Sequence, residues 1–184
     1  MHTEKYKMLN GWLYDATDPA LMKERQHARF LTKDFNDSSD DQQNLRKDIL
    51  MKLIPLQGDK LWIEPPFFCD YGTNIMVGNN VYFNFNCTIL DVMKVSIGNN
   101  VLFGPSVNIY TALHPMDWVE RSAGLEFAKP VNIGSHIWIG GGVIICPGVA
   151  IGDRTVIGAG SIVTRNIPAG VFAAGNPCKV IRDL

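Results

Sequence analysis

Six aliphatic residues, Ile133, Ile139, Ile145, Ile151, Ile157 and Val163, stand at strict intervals of six, and Gly134, Gly140, Gly152 and Gly158 follow four of them. Four positions after each comes a second row: Ile137, Val143, Val149, Thr155, Ser161 and Ile167. The same register recurs at Ile97, Phe103 and Ile109, and, displaced by two residues, at Val77, Phe83 and Ile89. A unit of six is too short for a helix pair, and its glycines would weaken one continuous strand. It suits a short strand and a tight turn, with one large side chain directed inward and a small one beside it. Stacked coils of such units make a parallel β-solenoid in which each coil buries its aliphatic row against its neighbours. Asn79, Asn80, Asn99, Asn100 and Asp153 fall where turn chemistry is expected. The glycines are therefore read as structural, and "IGGG" is not by itself a phosphate loop.

The rhythm stops between Ile109 and Pro130, where "YTALHPMDWVERSAGLEFAKP" interrupts it with a histidine, His114. An excursion from a rigid solenoid is a place for chemistry. Composition narrows which chemistry. With 17 basic and 18 acidic residues in 184, a net charge of -1, there is no global field to draw nucleic acid or an anionic membrane. The first twenty residues carry no signal-like apolar run, and no stretch approaches the roughly 18 apolar residues of a membrane span, so a cytoplasmic protein is expected. Cys69, Cys87, Cys146 and Cys178 show no CxxC spacing and no ligand-like histidine partner, which predicts free thiols and no metal.

Ahead of the solenoid the pattern is helical. Asp18 and Pro19 make an N-cap and first-turn pair, with Leu21, Arg25, Ala28 and Leu31 following at helical spacing. "NDSSDD" ends that helix. Ser39 and Gln42 resemble a capping box for a second helix with an apolar stripe at Leu45, Ile49, Leu50, Leu53 and Ile54. The expected division is a helical subdomain over 1–56 and a solenoid over 57–184, with a loop at 110–130 and a short C-terminal tail.

The stretches "NFNCTILDV", "IYTALHPMD", "GLEFAKPVNIG", "IWIGGGVIICPGVAIGD" and "VIGAGSIVTRNIPAG", with "MLNGWLYDATDPAL" and "AAGNPCKVIR" at the ends, resemble the hexapeptide-repeat acyltransferases. The resemblance is to the branch of sugar O-acetyltransferases that contains maltose and galactoside acetyltransferases. It spans nearly the whole chain. It implies a mainly β fold, a left-handed parallel β-helix, and a homotrimer with acetyl-CoA lying between neighbouring prisms. It also implies transfer of the acetyl group to a sugar hydroxyl, with maltose or glucose favoured by "LDV" and "GLEF". An alcohol is scarcely ionised at neutral pH, so a base must take its proton during attack, and neutral imidazole suits that task.

By the same resemblance His114 is the general base, Asn84 orients the hydroxyl and the backbone N–H of Gly141 receives the oxyanion. Galactoside-specific relatives carry serine at the Gly141 position, a change that preserves a backbone donor. Asp15, Arg25, Tyr82, Asp91 and Glu126 match positions near the acceptor, where carboxylates and a guanidinium fork suit paired hydroxyls. Trp138, Gly141, Ala159, Thr164, Arg165, Lys179 and Arg182 match positions for CoA, the basic residues meeting its phosphates. Rival readings leave marks that this sequence lacks. A zinc hydratase on a similar coil needs three converging histidines, and only His114 and His136 lie in the coil region. An ice-binding solenoid needs an unbroken threonine ladder. Within the enzyme class, an antibiotic, a galactoside or serine is the alternative acceptor.

Overall fold

A computed structural model describes residues 2–184. The chain opens with α1 (Glu4–Leu9), β1 (Tyr14–Asp15), α2 (Pro19–Asn36) and α3 (Gln43–Leu53). Asp18 caps α2 as its sequence implies, its carboxylate accepting from the N–H groups of Ala20 and Leu21. The capping box before α3 forms only in part. Gln42 accepts from the Ser39 N–H at 3.0 Å, but the Ser39 hydroxyl turns to Asp41, and α3 starts after Gln42 with no side-chain cap. Arg46, buried, fastens the α2–α3 turn through bonds to the Ser38 hydroxyl at 2.8 Å and the Ser38 carbonyl at 2.9 Å.

The solenoid follows as a triangular prism. Its first coil is β2 (Leu56–Gln57), β3 (Leu61–Ile63) and β4 (Phe67–Cys69); the second is β5 (Ile75–Val77), β6 (Val81–Phe83) and β7 (Cys87–Leu90); the third is β8 (Val95–Ile97), β9 (Val101–Phe103) and β10 (Asn108–Tyr110). The excursion then carries β11 (Ala112–Leu113), α4 (Trp118–Ser122) and β12 (Leu125–Ala128). The fourth coil is β13 (Val131–Ile133), β14 (Ile137–Ile139) and β15 (Ile144–Ile145), and the fifth is β16 (Ala150–Ile151), β17 (Val156–Ile157) and β18 (Ile162–Val163). A last coil enters at Ile167, continues in β19 (Val171–Ala174), and is closed by the antiparallel β20 (Lys179–Asp183).

The first, second and third strands of successive coils stack in parallel as faces I, II and III. The register matches the periodicity: Val77 pairs with Ile97 and Ile97 with Ile133, Phe83 with Phe103 and Phe103 with Ile139, Ile89 with Ile109 and Ile109 with Ile145. All these side chains are buried. The phenylalanines fill the wider end, Phe83 and Phe103 stacking at 4.2 Å between centroids, and the row narrows through Ile139 and Ile157 to Ala173. Fully burying a side chain of this size contributes about 1.5–3 kcal/mol, so the stacked rows dominate cohesion. Ala28 and Phe35 of α2 and Ile49, Leu50 and Leu53 of α3 join the same core, covering the first coil where its row would otherwise meet water.

At the corner between faces I and II, side-chain oxygens make a ladder. The N–H of Asp59 donates to Asn79 Oδ1 (2.7 Å), Asn79 to Asn99 Oδ1 (2.7 Å), Asn99 to Ser135 Oγ (3.0 Å) and Ser135 to Asp153 Oδ1 (2.7 Å). The glycine column follows from it. A Cβ on Gly78 would lie 2.6 Å from Asn99 Oδ1, and one on Gly98 2.5 Å from Ser135 Oγ, closer than real side chains approach. His136 occupies a left-handed turn position here, with φ of 59°.

The excursion is anchored by the N-terminus. Ala112 and Leu113 pair with Ala128 and Phe127, and β1 adds on the far side, Tyr14 against Glu126 and Asp15 against Leu125. Met8, Tyr14, Leu21, Tyr71, Val92 and Ala128 form a second apolar cluster beneath this small sheet.

Candidate active site

The coil geometry sorts the candidate residues onto two edges of the prism. The corner between faces II and III carries Asn84 after β6, Gly141 after β14 and Ala159 after β17. The corner between faces III and I carries the Asp70–Asn74 turn after β4, Asp91 after β7, the excursion with His114 after β10, and Thr164 and Arg165 after β18. Face III lies between the two edges. Among the described residues no hydrogen bond links His114 to Asn84 or Gly141.

The II–III corner differs from the I–II corner in its backbone. The residues after the turn's leading position are Pro65, Phe85, Pro105, Gly141 and Ala159 in successive coils. Two are prolines with no N–H to offer. Phe85 donates to the Asn84 side-chain oxygen at 2.7 Å. Among the described residues, the N–H groups of Gly141 and Ala159 have no hydrogen-bond partner, although the turns beside them are tied, Gly142 N–H to the Pro105 carbonyl and Gly160 N–H to the Gly141 carbonyl. Two adjacent coils thus present open donors at turn positions occupied by the small residues Gly141 and Ala159. Because its Oδ1 is engaged by Phe85, Asn84 has its Nδ2 free to donate.

Face II adjoins this edge. Its outward column runs Trp62, Tyr82, Leu102, Trp138, Val156 and Phe172 in register, and Arg182 stands beside Phe172 with its guanidinium 5.9 Å from the ring centre. Trp138 is 57 % exposed. Lys179 and Arg182 are exposed on β20. These residues could hold acetyl-CoA, the open amides meeting the pantetheine arm, the exposed indole lying beside it and the cations at the end of the prism meeting phosphates.

On the III–I edge His114 is exposed, following β11 directly. Glu126 Oε2 accepts from the Tyr14 hydroxyl at 2.9 Å. Burial, with the Glu126 charge, pushes the Tyr14 phenol well above its usual value, so it stays a donor. Arg25 is held by two neutral acceptors, the Tyr71 hydroxyl at 2.6 Å and the Ala16 carbonyl at 2.5 Å. Asp15 is exposed, and its carboxylate closes its own turn, accepting from the Thr17 N–H at 2.8 Å and hydroxyl at 2.6 Å, which holds it below the ordinary carboxylate value.

Asp91 requires a correction. It is completely buried, so it is not placed to touch an acceptor. Its Oδ1 accepts from the N–H groups of Asp70 at 3.0 Å and Tyr71 at 2.9 Å, fastening the turn that carries Tyr71 to Arg25. Burial pushes its carboxyl up to about 7 against the opposing pull of those bonds. Thr164 and Arg165 lie on the edge opposite Trp138, Gly141 and Ala159, so one chain does not gather the expected CoA residues into one place.

Asp70, Tyr14 and Tyr71 escaped the sequence reading. Asp70 is half-buried beside this edge, its carboxyl raised by burial and lowered in turn by Arg25 and Arg29. An acid beside an aromatic in "CDYG" is the only mark that the sequence carries of it. Two concavities lie elsewhere, about 730 Å³ over face I and about 720 Å³ between α3 and the first coil, and neither contains His114, Asn84 or Gly141.

The chain is similar to known proteins along its whole length. Residues 7–56 match the maltose acetyltransferase hexapeptide capping motif, and residues 130–165 match the bacterial transferase hexapeptide of six repeats. The chain is 42 % identical to galactoside O-acetyltransferase of Escherichia coli, over 95 % of this chain and 86 % of that one. A crystal structure of a maltose O-acetyltransferase from Clostridium difficile superposes with a TM-score of 0.99 at 50 % identity, covering 100 % of this chain and 98 % of that chain. A galactoside acetyltransferase in complex with coenzyme A superposes with a TM-score of 0.96 at 40 % identity, covering 100 % and 92 %.

Proposed function

Because the chain belongs to the hexapeptide-repeat O-acetyltransferase family of the maltose and galactoside type, an acetyl-CoA-dependent family, we propose that it acetylates a hydroxyl of a glucose- or maltose-like sugar, with His114 as general base, in a homotrimer. The observation that carries this reading is the division of the candidate residues between two edges. Of the candidate residues, Asn84, Gly141 and Ala159 stand on the II–III edge and the candidate base His114 stands on the III–I edge. Joining the II–III edge of one copy to the III–I edge of the next makes each site whole. Such a contact is head-to-tail, and head-to-tail contacts between subunits form a ring when the rotation closes. A three-sided prism suits a ring of three. The exposed apolar column on face II, with Trp62 45 % and Leu102 53 % exposed, supplies surface for a neighbour.

Acetyl-CoA supplies a thioester carbon already activated for attack. His114 takes the acceptor hydroxyl's proton as its oxygen bonds to that carbon, and returns the proton to sulfur as the carbon–sulfur bond breaks. Asn84 Nδ2 donates to the hydroxyl oxygen and leaves its proton directed at the imidazole. The open N–H of Gly141 meets the charge developing on the acetyl oxygen, a contribution that in comparable sites is worth about 2.7–4 kcal/mol. Arg25, Glu126 and Asp70 line the acceptor's side.

Thiol release from acetyl-CoA, followed across glucose, maltose, a galactoside, serine and a hydroxylated antibiotic, tests the reading. Turnover is expected with glucose or maltose. Turnover of the antibiotic or serine with no sugar active would overturn the acceptor assignment.

A further inference from the structure

Helix α2 sorts its charges by side. Met22, Arg25, Gln26 and Arg29 are spaced to share one face. With Pro19 and Lys23 they line a groove of about 460 Å³. Glu24 turns to the other flank and is taken by Lys5 at 2.7 Å. Among the described residues, none of Lys23, Arg25 and Arg29 has a carboxylate within ion-pair distance. Three cations thus line one groove that has no acidic residue in its wall.

The groove begins at the acceptor edge. Arg25, at its inner end, is immobilised by the Tyr71 hydroxyl and the Ala16 carbonyl, neutral acceptors that give it no carboxylate in direct contact. The charges of both Arg25 and Arg29 reach the Asp70 carboxyl beside that edge. The groove also lies far from the cations expected to meet CoA. Asn36 at the end of α2 bonds the Phe67 backbone in the first coil, whereas Lys179 and Arg182 follow the last. An anion on α2 is therefore a second anion, carried by something other than the nucleotide end of CoA.

We propose that this groove is a subsite for an oxyanion group on the acceptor, so that the preferred acceptor is a sugar bearing a phosphate or carboxylate away from the hydroxyl that reacts. The inference rests on the acceptor site proposed above and names the class of sugar it takes. Arg29 and Arg25 offer planar forks matched to phosphate and carboxylate oxygens, and Lys23 adds a point charge.

The test compares glucose, glucose 1-phosphate and glucuronic acid as acceptors at low ionic strength, in the wild type and in the double variant Lys23→Gln, Arg29→Gln. Both changes are at exposed helix positions and keep good helix formers, so folding is preserved. The KM for glucose 1-phosphate is expected about tenfold below that for glucose, as several exposed charge pairs would give. The gap should close near 1 M salt, where the screening length falls to about 3 Å. In the double variant the gap should vanish while kcat/KM for glucose stays unchanged. A gain shared by glucuronic acid assigns the groove to oxyanions generally; a gain confined to glucose 1-phosphate assigns it to phosphate. Glucose turnover with no gain for either anion, or a gain that survives in the double variant, overturns the groove and leaves the acceptor site standing. Calorimetric binding of glucose 1-phosphate that the double variant loses, with no sugar turned over, upholds the groove and overturns the acceptor assignment.

Discussion

Replacing Asp91 by asparagine should make the stability difference between variant and wild type depend on pH. The wild-type carboxyl is fully buried and its pKa is raised from 3.8 to about 7, chiefly by burial. At about 1.36 kcal/mol per unit, the folded state favours the protonated acid by up to about 4 kcal/mol. The folded value is raised above the unfolded one. The stabilising contribution is therefore fully present below about pH 4, and is lost as the pH climbs to about 7 and the unfolded chain releases a proton that the native state retains. Asparagine does not titrate, and its carbonyl oxygen still accepts from the Asp70 and Tyr71 N–H groups. The variant should accordingly gain on the wild type between pH 4 and 8 by an amount approaching that figure. Urea midpoints at a series of pH values, at one fixed protein concentration, measure the gain. A difference flat in pH, or a wild type that gains on the variant above pH 7, would refute the reasoning, because it would mean that the backbone N–H groups hold the carboxylate ionised despite burial.

Tyr14→Phe removes the donor to Glu126 and should raise the KM for the acceptor severalfold without moving that for acetyl-CoA, at a cost of about 1.5–3 kcal/mol in stability; unchanged acceptor kinetics would detach Glu126 from the site. Lys179→Ala with Arg182→Ala should raise the KM for acetyl-CoA about tenfold and leave the acceptor KM nearly unchanged, and equal effects on both would contradict the assignment. His114→Ala should lower kcat by roughly 10² to 10⁴. Because His114 is exposed outside the buried rows, thermal melting should barely change; near wild-type kcat would remove it from the mechanism.

The coil register was open to reading because burial repeats. Each aliphatic position at interval six meets its counterpart one coil away, so Ile97, Ile133 and Ile151 reveal one another without long-range information. The α2 start was equally local, since Asp18 caps its own next turn. What the sequence hid is non-local or degenerate. Tyr14 and Glu126 are 112 residues apart, and neither β1 nor its partnership with the excursion leaves a periodic mark. The six-residue period does not mark which corner a turn residue occupies, so Asn84 and Thr164 each follow a coil strand yet stand on opposite edges of face III. Asp91 matches an acceptor position by resemblance alone, and a resemblance carries no burial; its burial comes with the turn 20 residues earlier, whose Tyr71 N–H donates to it.

The central claim is that each site is assembled from two copies, and subunit mixing tests it most directly. Asn84→Ala and His114→Ala variants, each nearly inactive alone, are unfolded together in equal amounts and refolded. If one copy supplies Asn84 and the next His114, random assembly into rings places an intact pair at about a quarter of the sites, and about a quarter of wild-type activity should return. Activity that stays at the level of the separate variants, in mixed assemblies of normal size, would show that the two residues act within one chain and would contradict the account.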